Sequence, residues 1–255
     1  MRETASLIDY TQDVRRIPTG LPFDNGDEMD QPTFHALHET CPDGFRAELI
    51  EGIVCFKMST SIKHGRLHNV MTIWVSQYVE ATPGTESFPP ITLILDIASE
   101  PEPDVVLILD KDSGGQTSES EDGYLVGPPE LVVEIANTTT TTDLGRKKRD
   151  YERAGVKEYI VVLPTTHSII WFHRLRDRFV ELTPASDGIY RSICFPGLWL
   201  KPEDVFSKTA SSILLTIRLG LASPEHAALV AKLNSKKAKK QSTKKSRATR
   251  NGKPK

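Results

Sequence analysis

The chain has 255 residues, 38% of them hydrophobic and 26% charged, within the range of a globular fold of one large or two small domains with polar extensions. Its formal net charge of −2 hides an asymmetry: from Lys232 onward there are eleven Lys or Arg and no acid, which leaves −13 for residues 1–231. With the body acidic and the end basic, the overall isoelectric point says little about partners. Cys41, Cys55 and Cys194 lie far apart, so no CxxC pair supports a structural zinc site, and an odd count favours reduced thiols in a cytoplasm. The N-terminus is too polar for a secretory signal, and no apolar run approaches the ~18 residues that span a bilayer, so no membrane partner is expected.

Residues 1–30 carry scattered acids, and Pro18, Gly20, Pro22 and Gly26 break any long element. An extended or poorly ordered N-terminal arm is expected, with Leu7, Ile8, Tyr10, Leu21 and Phe23 available for docking. A short helix over residues 33–39 precedes a Pro42-Asp43-Gly44 turn. A hairpin follows, residues 45–50 and 53–58, turning at Glu51-Gly52. Residues 61–81 read as the clearest helix, because Leu67, Val70, Met71, Trp74, Val75 and Tyr78 recur at spacings of three and four. Ser61 is its cap and Pro83-Gly84 its end.

Two strands are expected at residues 91–97 and 104–109, then a solvated loop over 111–123 rich in Ser, Gly and acids. Residues 130–136 (ELVVEIA) are apolar on both faces, as in a central strand. A Thr-rich connection caps a helix over 142–154, and Gly155 suits its left-handed end. Strands at 157–163 and 167–175 follow, with 178–182 and 189–195 continuing a meander and a short helix at 202–206. The pattern gives a mixed α/β domain over 31–206, a helical extension over 207–234 and a basic, disordered tail over 235–255.

Three residues in this frame carry chemistry. Alternation puts Val132 and Glu134 on one face of the central strand, where a carboxylate is costly unless paired, hydrogen-bonded or metal-bound. Asp104 follows Pro103 and opens the apolar strand VVLIL, at a strand end where side chains converge on a cleft. On the helix over 142–154, Lys147 falls within about 30° of the centre of the face set by Leu144, Tyr151 and Ala154. Two carboxylates and a lysine suit phosphodiester hydrolysis: the acids anchor a hard divalent cation, and the lysine stabilises charge developing on the phosphate.

At these residues the chain resembles the Uma-type endonucleases, a bacterial branch of the PD-(D/E)XK superfamily. The resemblance spans residues 31–206. It is carried by AELIEG (47–52), His64, EPDVVLI (102–108), PELVVEIA (129–136), Asp143, KKRDYERAGVKEYIVV (147–162) and FPGLWL. It implies a restriction-endonuclease-like mixed β-sheet core flanked by helices, with Asp104 and Glu134 as the metal-holding acids. The superfamily's lysine usually stands two residues past the second acid, but Ala136 occupies that place, and Lys147 matches a position to which the lysine has migrated. Glu48 matches a recurrent glutamate and joins the site as ligand or hydrogen-bond partner. Tyr151 supports the lysine stem; His64 shares a helix face with Leu67 and His68 and points to the core or the cleft, with a structural role slightly favoured over a catalytic one. Leu163-Pro164 and Asn137-Thr138-Thr139 depart from the family pattern.

The first reading is therefore an endonuclease dependent on Mg²⁺, or on Mn²⁺ in its place, acting on DNA, with Asp104, Glu134, Lys147 and Glu48 as its site. The resemblance also allows a homodimer. The alternative is a catalytically inactive nucleic-acid-binding protein on a nuclease scaffold; a glycosidase built on a carboxylate pair would give Lys147 and the basic tail no role. The tail suits non-specific phosphate contact.

Overall fold

The computed structural model describes residues 20–58, 60–207 and 210–251, with side chains of the last helix described as far as Lys237. The rest of the expected arm, residues 1–19, and the last four residues of the tail lie outside the described residues.

Residues 20–30 dock against the first hairpin. Phe23 is buried, and backbone bonds run from Gly26 to Val54, from Val54 to Asp27 and from Met29 to Gly52. Asp30 caps α1 (Gln31–His38) by accepting the Thr33 amide at 3.0 Å. The hairpin pairs β1 (Ala47–Ile50) with β2 (Ile53–Phe56) across Glu51 and Gly52, both at positive φ. With Phe23, Phe34, Leu49 and Val54 it forms a small apolar core of its own.

Ser61 caps α2 (Ile62–Ala81), and the six residues at helical spacing are all buried. Next come β3 (Thr85–Phe88), β4 (Leu93–Ile94), β5 (Val105–Leu109), β6 (Ser118–Glu119), β7 (Leu125–Val126) and β8 (Leu131–Ile135). One α turn, α3 (Thr140–Thr142), leads through a π-helical turn (Asp143–Lys147) into α4 (Lys148–Ala154), which Gly155 ends at φ 102°. After these lie β9 (Glu158–Leu163), β10 (Ser168–Leu175), β11 (Arg178–Glu181), β12 (Tyr190–Arg191) and β13 (Trp199–Leu200). The helices α5 (Pro202–Val205), α6 (Ser211–Leu221) and α7 (Pro224–Asn251) close the order.

Six strands make the main sheet in the order β11-β10-β9-β8-β5-β3, with β8 and β9 parallel and the other neighbours antiparallel. The parallel pair is joined by the π turn and α4, the crossover that parallel strands require. Alternation sorts the sheet's side chains. Val105, Leu107, Val133, Ile135 and Ile160 pack with α2 and α6 on one face. Val106, Ile108, Val132, Tyr159 and Val161 pack with Tyr151 and Val156 on the other.

Four expectations change. The sheet has an extra edge strand, β3, whose sequence TESF shows no apolar alternation; it is set by pairing with β5 rather than by local preference. The strand expected at 91–97 shrinks to Leu93–Ile94, and β12 leaves the meander to pair with β13. The tail expected to be disordered from Ser235 continues α7 to Asn251, in keeping with the high helix propensity of its Ala, Lys, Gln and Arg residues. Among the described residues, no single helix is long and apolar enough to cross a membrane.

Two close approaches hold the second half together. A Cβ at Gly220 of α6 would lie 2.1 Å from the Gly197 carbonyl oxygen and 2.7 Å from Trp199 Cγ. Only a bare Cα lets α6 press on the 196–199 turn. On β9 the carboxylate of Glu158 is buried and accepts Ser192 Oγ at 2.7 Å, the Ile193 amide at 2.7 Å and the Cys194 amide at 3.0 Å. Burial pushes its pKa up to about 7, the donors opposing.

Gly220→Ala is expected to cost about 2 kcal/mol and lower Tm by roughly 5 °C in thermal melts. Glu158 binds its proton more tightly folded than unfolded, so its contribution is greatest at acid pH and falls as pH rises from the ordinary glutamate range through about 7. Denaturant titrations of Glu158→Gln should lack that decline, a difference of up to about 3 kcal/mol at pH 8; parallel pH profiles for both proteins would contradict the assignment.

Candidate active site

β5 and β8 are antiparallel, with Val105 opposite Val133 and Val106 opposite Val132. Carried one residue further, this register sets Asp104 abreast of Glu134. Both share the parity of Val106 and Val132, so both belong to the face that packs under α4. Asp104 Oδ2 accepts the Ile135 amide at 2.7 Å, so the acid is tied into the end of β8. Its Oδ1 lies 3.2 Å from His64 Nε2, in the first turn of α2. His68, one turn on, sets Nε2 3.0 Å from the Asp104 carbonyl oxygen.

Lys147 ends the π turn and enters this face from above. Its side chain is 5% exposed, and Nζ donates to Glu134 Oε1 at 2.9 Å and to Glu48 Oε1 at 2.8 Å. Tyr151, one turn later, donates its hydroxyl to the same Glu134 oxygen at 2.8 Å. The π turn widens the helix where the lysine must reach the sheet, a distortion common at functional sites. Glu48 arrives from β1, and its Oε1 also accepts the Glu102 amide at 2.7 Å and faces Lys57 Nζ at 3.3 Å. The structure thus brings all four residues singled out from the sequence into one cluster: Asp104, Glu134, Lys147 and Glu48.

Their protonation differs with their partners. Burial works against the Asp104 carboxylate, but the hydrogen bond and charge of His64 and the Ile135 amide hold it below its ordinary value. Burial likewise opposes Glu48, and Lys147, Lys57 and the Glu102 amide overcome it. Glu134 goes the other way: burial, aided by Asp143, Asp104 and Glu48, pushes it up against the pull of Lys147. Lys147 rises well above its usual value, because Glu134, Glu48 and Asp143 outweigh the cost of burying it. The ammonium is the firmer charge of the pair, since several acids surround it while Glu134 has one close cation.

The donor set suits a hard divalent cation, which takes oxygen ligands and keeps several waters. The hydrogen bonds to Glu134 fall on Oε1 and leave Oε2 for another ligand. Among the described residues no group of three or more His, Cys, Asp or Glu is arranged to hold a metal, so a cation here would rely on Asp104 and Glu134 together with solvent. Lys147 has three N–H donors; with Glu48 and Glu134 each taking one, one remains for an incoming anionic oxygen.

Of the two sides open to His64 the structure gives the cleft, where it stands on the Asp104 carboxylate. Tyr151, expected to support the lysine stem, donates to Glu134. Lys57 went unnoticed, although strand alternation puts it two residues from Cys55, the partner of Glu48 in the hairpin. Thr139, in the departing Asn137-Thr138-Thr139 segment, donates to Asp143 Oδ2 at 2.5 Å and steadies the start of the π turn.

No curated protein matches the chain. Among solved structures, a "putative nuclease belonging to DUF820" from Anabaena variabilis ATCC 29413 aligns with a TM-score of 0.54 and 14% identity, covering 67% of this chain and 96% of that one. At that identity the likeness speaks for the fold, a restriction-endonuclease-like mixed sheet flanked by helices. The family model Uma2, described as "Putative restriction endonuclease", matches residues 32–203. That span runs from α1 into α5 and takes in every residue of the cluster: the chain belongs to the Uma2 family.

Proposed function

We propose that this protein is a divalent-cation-dependent endonuclease that hydrolyses phosphodiester bonds of DNA. The observation that carries the reading is the buried Lys147 ammonium held on Glu134, with Asp104 abreast on the next strand. A structural ion pair would not call for a second acid at that register, nor for a carboxylate oxygen left without a hydrogen bond. Membership of the Uma2 family supports the reaction class.

In this reading Asp104 and Glu134 hold the cation, preferentially Mg²⁺ and in its place Mn²⁺. Bound there, the cation polarises the scissile phosphate and lowers the pKa of a water ligand. Lys147 directs its remaining N–H at a phosphate oxygen and stabilises the charge that develops there. Glu48 and Glu134 hold the ammonium in place, and Tyr151 keeps the Glu134 carboxylate from turning. His64 fixes the Asp104 carboxylate from the open side.

Supercoiled plasmid nicking in Mg²⁺ or Mn²⁺ tests this directly. Asp104→Ala, Glu134→Ala and Lys147→Ala should each lower the rate by about a hundredfold or more, and EDTA should abolish it. Lys147→Ala also strands two buried glutamates, at a cost of about 3–5 kcal/mol, so folding must be checked by circular dichroism. Asp104→Asn is the cleaner variant: its amide oxygen can still accept the Ile135 N–H, so activity should fall with little loss of stability. Nicking that survives every substitution would sink the assignment. A folded natural chain that binds DNA but never nicks it with either metal would favour the inactive scaffold.

A further inference from the structure

The basic end of the chain is a patterned surface. Of the nine Lys or Arg positions on α7, eight, from Lys232 to Arg250, fall within an arc of about 160° at 100° per residue. Lys245 alone lies outside that arc. The opposite side holds the positions of Asn234, Ala238, Gln241, Ser242 and Thr249, so no apolar face is available to enter a lipid interface. The stripe runs about 27 Å along the axis, the length of roughly eight base pairs of duplex.

The root of α7 is fixed. His226 Nε2 lies 2.9 Å from Thr82 Oγ1, and its ring meets Tyr78 edge-on at 5.6 Å. Leu233 is buried, and Lys236 Nζ donates to the Ser113 carbonyl at 2.9 Å. This anchorage is at the far end of α2 from the cluster. His64 stands in the first turn of α2 and Thr82 just past its last, which separates them by about 27 Å along the helix.

We propose that α7 is a second nucleic-acid contact, separate from the candidate active site, whose cationic stripe grips the phosphate backbone of duplex DNA without reading sequence. The choice of DNA rests on the proposed function; the stripe itself does not. A body of net charge −13 repels a polyanion, so the attractive term must come from the only large excess of positive charge in the chain. Phosphate neutralisation by Lys and Arg releases counterions and makes binding strongly salt-dependent. The pattern suits backbone contact because it supplies charge in one stripe and no aromatic side chain for base stacking.

The test is fluorescence anisotropy with a labelled duplex of about 24 base pairs in EDTA, over a salt series. It compares the full chain with a variant in which Lys239, Lys240, Lys244, Arg247 and Arg250 are changed to Gln, a residue of good helix propensity. The slope of log Kobs against log salt should be less steep in the variant by about 4.5, since five phosphate contacts contribute ~0.9 each. Unchanged affinity and slope in a variant with the same circular dichroism would overturn the proposal. Binding in EDTA requires no cleavage, so a failure of the nuclease reading leaves this result standing. Tighter binding, at equal phosphate, to phosphatidylserine vesicles or to double-stranded RNA would overturn the choice of DNA.

Discussion

The ammonium of Lys147, buried between Glu48 and Glu134, is the contact on which the arrangement depends. Each of the three groups would be expensive to bury alone, and removing one leaves its partners uncompensated. The contact also joins three elements far apart in the chain: the first hairpin, the central strand and the helix of the parallel crossover. Around it the hairpin is attached by polar bonds. The Glu51 amide donates to Asp150 at 2.8 Å, Arg149 pairs with Glu51 at 2.7 and 2.8 Å, and Leu49 exchanges backbone bonds with Glu100. The hairpin keeps its own apolar core, and the seam between that core and the main sheet is lined with charge. The candidate site is part of this seam, which is why its charged residues are buried.

Much of this was legible because it follows from periodicity. Alternation along β8 put Glu134 on a defined face, and Pro103 marked where β5 begins, so one register step aligns the two acids. The helical wheel found Lys147 even though the turn at Asp143–Lys147 is π-helical. Lys147, Tyr151 and Ala154 lie at the end of that turn or after it, where regular α geometry holds; only Leu144 falls within the widened part. What was not legible depends on contacts between distant segments. Nothing near His64 in the sequence says that α2 will start beside Asp104, 36 to 40 residues on. Nothing in TESF announces an edge strand, because β5 supplies its pairing. At the C-terminus the error ran the other way: lack of apolar residues was read as lack of structure, yet local propensity alone gives a regular helix.

The charges of the body are largely used internally. Arg46 and Lys57 meet Glu102, Lys57 and Lys147 meet Glu48, and Arg153 meets Asp96 and Asp150. Such pairing takes up the cations that touch the cluster itself. In the proposed reading, local chemistry and long-range attraction fall to different parts of the chain. The seam sets a lysine and two acids at short range, while the proposed stripe on α7 draws on the excess of Lys and Arg at the end of the sequence.

The place of the lysine follows from packing. Ala136 occupies the strand position where a lysine would share the face of Glu134, and it is 1% exposed among Val132, Tyr151 and Tyr159. A lysine stem there would have to enter this close-packed cluster. Carried on the π turn instead, the ammonium approaches the same carboxylate from above the sheet, and Tyr151 keeps its place on the following turn. The widened turn is what makes the exchange geometrically open, since it lets Lys147 reach the sheet while Tyr159 holds the Asp143 carbonyl at 2.9 Å. What the proposed chemistry requires is the position of the charged nitrogen against Glu134, and the backbone that delivers it can differ.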